Sequence, residues 1–197
     1  MEKKDVIEFF DGIAPKWDGM QADRSRVIAK ILDNAGIAAG QRVLDVASGT
    51  GILIPFYLER GVSAVTAVDI SPEMVLRAGE KYGALPQVSL CCGDIEEMRF
   101  AEPFDAAVVY NAFPHFEDGR HLISTLAGML RPGGRLTVAH GFSRETINAH
   151  HKGAARHVSM GLVSVEVLQA YFEPLFEVDT AISNAEMYQV CGTKRRA

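Results

Sequence analysis

The stretch Val43-Leu44-Asp45-Val46-Ala47-Ser48-Gly49-Thr50-Gly51 constrains the fold of this chain more than any other. An apolar run with a carboxylate at its third position reads as a buried parallel strand, and the small residues after it let the backbone turn sharply into a helix. Such loops lie at the carboxyl ends of strands in open α/β sheets, where backbone N–H groups at a helix start come close to a ligand. A dinucleotide fingerprint would place Gly or Ala at position 54, but Ile54 and Pro55 stand there. Asp45 argues in the same direction, because a carboxylate beside the loop repels a diphosphate and attracts an ammonium group, directly or through water. No Lys-Ser or Lys-Thr follows the glycines, which removes a P-loop. A second apolar strand, Val65 to Asp69, ends on an acid twenty residues after Gly49, where a ribose diol would be gripped.

VLDVASGTG followed by VTAVDIS resembles motifs I and II of the class I S-adenosylmethionine-dependent methyltransferases. The likeness continues through CGDIEEM (Cys92 to Met98), FDAAVVYNAFPHFED (Phe104 to Asp118) and LRPGGRLTVAH (Leu130 to His140), so it covers the chain from about Arg42 onward. DVIEFFDGIAPKWDG is similar to the amino-terminal segment of small-molecule methyltransferases of the ubiquinone/menaquinone group. The resemblance implies an α/β, Rossmann-like, doubly wound sheet of seven mostly parallel strands, with an antiparallel carboxy-terminal strand and a helical lid at the amino terminus. It implies S-adenosylmethionine as cofactor. Ala47, Ser48, Gly49, Gly51 and Asp45 would hold its amino-acid end, with Asn111 near the methionine portion. Asp69 would take the ribose and Asp94 with Ile95 the adenine, which Met74 would flank, and Ile70 and Gly93 join them as cofactor-binding residues. Trp17 stands where the family has an aromatic beside the cofactor.

A chain of 197 residues, 48% hydrophobic and 23% charged, suffices for one domain with a substantial core. Within 1–197 we expect a helical lid over 1–36, a cofactor-binding core over 37–197 and a substrate-side insert at 141–163. The formal net charge of −5 argues against a nucleic-acid partner, which needs a basic face. Three cysteines without Cys-x-x-Cys spacing indicate neither a disulfide framework nor a zinc site. Glu2, Lys3, Lys4 and Asp5 follow Met1 and no apolar run approaches membrane-spanning length, so the expectation is a cytoplasmic protein without a membrane partner.

Local rules place the remaining elements. Ser71-Pro72-Glu73 opens a helix, with Ser as N-cap and Pro in first position. Arg131-Pro132-Gly133-Gly134 reads as a tight turn before a strand over Arg135 to His140. Ser143 caps a helix, and Phe176 to Ile182 and Met187 to Gly192 alternate as a closing hairpin. His140, His150, His151 and His157 crowd one stretch, but their spacing does not suit a metal, and no metal is expected. His115 and His140 are the catalytic candidates on the acceptor side, since imidazole titrates near neutral pH, and His151 joins them as a substrate-lining candidate. The expected function is methyl transfer to a small-molecule acceptor. A non-catalytic S-adenosylmethionine-binding sensor or partner subunit stays open, as does, further off, methylation of a nucleic-acid or protein amino group. The sequence leaves the acceptor atom and the oligomeric state open.

Overall fold

The computed structural model describes residues 2–20, 22–151 and 156–196, with residues 150 and 151 as backbone alone. The chain begins with α1 (Lys3–Ile13), a 3-10 turn at Ala14–Lys16 where Pro15 interrupts the helix, and α2 (Trp17–Met20). Helix α3 (Ser25–Asn34) buries Ile28, Ile31 and Leu32, three positions that share one face of a 3.6-residue period. Strand β1 (Arg42–Val46) leads through the glycine loop into α4 (Ile54–Glu59). That helix starts three residues after Gly51, because Gly51 N–H donates to the Ser48 carbonyl and Ile54 N–H to the Gly51 carbonyl, so the first residues are spent on turns.

β2 (Ala64–Asp69) precedes α5 (Pro72–Tyr82), whose start follows its capping chemistry: Ser71 Oγ accepts the Met74 N–H at 3.1 Å. β3 (Val88–Cys92), β4 (Phe104–Tyr110) and α6 (Gly119–Met129) follow, the last capped by Asp118, which accepts from the N–H groups of Arg120 and His121. β5 (Leu130–His140) begins five residues before the predicted strand. The Pro132-Gly133-Gly134 segment forms no separate turn; it is an irregularity within the strand, where the register jumps between the Phe104–Leu130 and Ala106–Arg135 pairs. α7 (Arg144–His151) starts at Ser143, whose Oγ accepts the Thr146 N–H, and α8 (Val165–Phe172), β6 (Phe176–Ser183) and β7 (Tyr188–Lys194) complete the order.

The seven strands among the described residues form one sheet in the order β3-β2-β1-β4-β5-β7-β6. β1 to β5 run parallel, and β7 lies antiparallel between β5 and β6. This is a doubly wound, Rossmann-like sheet with an antiparallel carboxy-terminal strand. Successive strand residues point to opposite faces. Val43, Ala106 and Val108 therefore meet α3 and α4 on one side, while Leu44, Ala107 and Val109 meet α6 and α8 on the other. The strand order reverses between β1 and β4, with β2 and β3 laid to one side and β5 to the other, which opens a crevice at their carboxyl ends. No helix among the described residues is long and apolar enough to cross a membrane.

Candidate functional site

At that crevice a cavity of about 740 Å³ lies against the carboxyl ends of β1 to β4. Asp69, the last residue of β2, organises its floor. One carboxylate oxygen accepts the Gly49 N–H at 2.7 Å and the other accepts the Ser71 N–H at 2.9 Å, so one side chain ties the glycine loop to the start of α5. Burial raises the Asp69 pKa above the ordinary carboxylate value, and the N–H groups of Ser71, Gly49 and Ile70 oppose that rise. Ala47 and Asn111, at the ends of β1 and β4, both hold the left-handed conformation (φ 52° and 54°), which is uncommon outside glycine and concentrates at functional sites. Asn111 fixes its turn by accepting the Gly141 N–H at 2.9 Å. Above Gly49 a Cβ would meet the indole of Trp17 at 3.7 Å and the Met74 sulfur at 4.0 Å, both ordinary contacts that leave the glycine facing the cavity.

The amino-terminal segment covers the cavity and is tied down by polar contacts. Lys3 bridges Asp94 and Glu96, and its partners raise the pKa of its ammonium group. Asp11 accepts from Ser71 Oγ at 2.5 Å and from the Glu73 N–H at 3.2 Å. Asp18 accepts from Thr50 Oγ and pairs with Lys81 at 2.7 Å. Phe10 lies edge-on to Trp17 and to His115, with ring centroids 5.9 and 5.0 Å apart. None of Lys3, Phe10, Asp11 or Asp18 was singled out from sequence.

His115 ends the 3-10 turn Phe113–His115 and reaches the cavity wall. Its Nδ1 lies 2.6 Å from the Val158 carbonyl oxygen, which can only accept, so Nδ1 carries the proton and Nε2 the lone pair of the neutral ring. Burial lowers the pKa of His115 against the opposing effect of that carbonyl, which keeps the imidazole uncharged near neutrality. The rim beside it is acidic, with Glu96, Glu97, Glu117 and Asp118 around the opening.

The cavity thus gathers Trp17, Ala47, Ser48, Gly49, Asp69, Ile70, Met74, Gly93, Asp94, Ile95, Asn111 and His115 along one wall or another. Three expected site residues stand elsewhere. Gly51 faces away from the cavity: a Cβ there would meet Ile54 Cδ1 at 2.7 Å and Tyr82 at 2.9 Å, so glycine serves the packing of the loop against α4 and α5. Asp45 shares the face of Val43 and is buried beneath the loop instead of lining the opening. His140 corrects the acceptor-side expectation. It shares the strand face of Leu136 and Val138, β7 pairs Tyr188 opposite it, and the imidazole is fully enclosed against the Tyr188 ring. The side chain of His151 falls outside the described residues.

Residues 43–134 match the methyltransferase domain family. A demethylmenaquinone methyltransferase of Renibacterium salmoninarum is 33% identical over 150 residues, 72% of this chain and 60% of that protein, so the chain spans about three fifths of its relative's length. Two solved structures share the fold. One is a methyltransferase in complex with the Haloferax volcanii Trm112 methyltransferase activator (TM-score 0.80, 20% identity, 95% of this chain and 98% of that one). The other is the N-methyltransferase NodS of Bradyrhizobium japonicum with S-adenosyl-L-homocysteine (TM-score 0.76, 17% identity, the whole of both chains). The domain match over residues 43–134, the motif order and the sheet order make this chain similar to the class I S-adenosylmethionine-dependent methyltransferases.

Proposed function

We propose that the protein transfers the methyl group of S-adenosylmethionine to a small-molecule acceptor. The observation that carries this reading is the placement of Asp69, Asp94 and the glycine loop around one cavity that also takes in a neutral imidazole. These residues fit the cofactor: Asp69 for a ribose diol, Asp94 with Ile95 for an adenine, and the open face of Gly49 for the methionine portion. When bound, the cofactor supplies an electrophilic methyl group on a positively charged sulfur. The protein's part is to align the acceptor with that methyl and to keep water out, which α1 and Trp17 would do as a lid.

His115 acts as the base toward an acceptor that must lose a proton, because Val158 fixes its tautomer with the lone pair on Nε2. The cavity volume falls in the range of small-molecule sites. The acidic rim opposes a phosphate backbone and favours such an acceptor over nucleic acid. The demethylmenaquinone methyltransferase relative makes quinol-like compounds the first acceptors to screen.

The test is formation of S-adenosylhomocysteine across an acceptor panel. With an active acceptor, His115→Gln should lower kcat by roughly 100-fold, a typical contribution of a positioned base, and leave cofactor affinity unchanged. Wild-type activity should fall only as pH drops below the ordinary histidine value, because burial lowers the pKa of this ring. Turnover with no acceptor despite tight cofactor binding would favour the sensor reading.

A further inference from the structure

A second polar pair lies beneath the glycine loop, out of reach of solvent. Asp45 and Tyr57 are 1% and 0% exposed, and the carboxylate and the phenol hydroxyl face each other without closing a regular hydrogen bond. Among the described residues, Asp45 Oδ2 and the Tyr57 hydroxyl have no other partner. Helix α4 brings the phenol there because Ile54 and Tyr57, one turn apart, both face the sheet. Their neighbours on that face are apolar, among them Leu53, Val43 and Val65. An all-carbon side chain would fill the same space without burying an oxygen, so the hydroxyl is excess to packing and calls for a role.

We infer that Tyr57 is a positioning residue that holds the Asp45 carboxylate beneath the loop and lets it become charged when a cationic amino-acid end settles above. This rests on the methyl-donor reading of the site. Two groups act on Asp45: Tyr57 from α4, whose hydroxyl favours the charged form, and Asp69 from β2, whose charge disfavours it. Of the two acids Asp69 is the better served, since backbone N–H groups donate to it, and burial favours the protonated form of Asp45. An ammonium group above the loop reverses that balance. The Asp45 O–H bond then breaks, its proton leaves to the buffer, and Tyr57 keeps its own proton and donates it in a hydrogen bond to the new carboxylate.

Calorimetric titration with S-adenosylhomocysteine between pH 6.5 and 9.5, in two buffers of different ionisation heat, tests this. The wild type should bind more tightly as pH rises and release a proton at the lower end. Tyr57→Phe should move that rise upward by about one pH unit, the effect of one hydrogen bond to a charged acceptor. It should bind up to about tenfold more weakly near pH 7, with the gap closing toward pH 9.5. Asp45→Asn should show a flat profile and no proton release. Superimposed wild-type and Tyr57→Phe curves, or a loss by the same factor at every pH, would overturn the inference while leaving the cofactor site standing. Absence of binding by folded wild type at every pH would remove the methyl-donor reading and this inference together.

Discussion

Asp45→Asn is expected to stabilise the empty protein, raising its melting temperature by roughly 5–10 °C at pH 7.5. Burial, the largest influence on Asp45, pushes its pKa up to about 8, and the nearby Asp69 charge adds to that while Tyr57 opposes it. The unfolded chain holds this group at an ordinary carboxylate value near 3.8. Below that value the acid is protonated in both states and costs nothing. As pH rises from about 4 toward 8 the unfolded state gains by ionising and the folded state does not, so the wild type loses stability across that window. Each pH unit is worth about 1.4 kcal/mol at most, and water reaching the site reduces it, which leaves a gain on the order of 3 kcal/mol for a neutral amide of the same shape. Scanning calorimetry at pH 5 and pH 7.5 should show the gap between variant and wild type widening with pH. A variant that melts below wild type at both values would mean that the carboxylate is charged and well served in the folded state. The stabilised variant should also be the poorer binder, as expected of a strained group kept for function.

Asp69→Ala should weaken S-adenosylhomocysteine binding by roughly 100-fold or more. On the proposed reading the side chain has two tasks that fall together: it accepts the Gly49 and Ser71 N–H groups, and it would take the ribose diol. Hydrogen bonds to a charged acceptor contribute about 1.5–3 kcal/mol each, and every 1.4 kcal/mol is tenfold in affinity. The two tasks separate in competition between adenosine and 2′,3′-dideoxyadenosine. Wild type should prefer the diol, and the alanine variant should not discriminate. A variant that keeps the preference would move the ribose to another acceptor.

The parts of this site that sequence revealed are those set by local rules. The apolar runs of β1 and β2 locate Asp69 at a strand end, and capping chemistry locates Ser71, Pro72 and Met74. His140 escaped because its surroundings depend on β7 inserting beside β5, a pairing between residues about fifty apart that no local pattern encodes. The ties from Lys3, Asp11 and Asp18 span 91, 60 and 32 positions and leave no periodic trace. Tyr57 was different: its place one turn after Ile54 put it on the inner face of a helix that follows directly on Asp45, so a phenol beneath the carboxylate was within reach of a helical-wheel argument.

The way the amino-terminal segment is fastened separates the rigidity of the scaffold from the mobility of its entrance. Val6 in α1 and Ala14 in the 3-10 turn are the buried residues of this segment, and α2 buries none, so little apolar surface glues it to the sheet. Its hold comes from Lys3, Asp11 and Asp18, whose partners water can replace. Such a segment forms its own low-stability unit, free to detach and re-dock while the two apolar layers around the sheet stay closed. Exchange of a spent cofactor for a fresh one then requires no partial melting of the core.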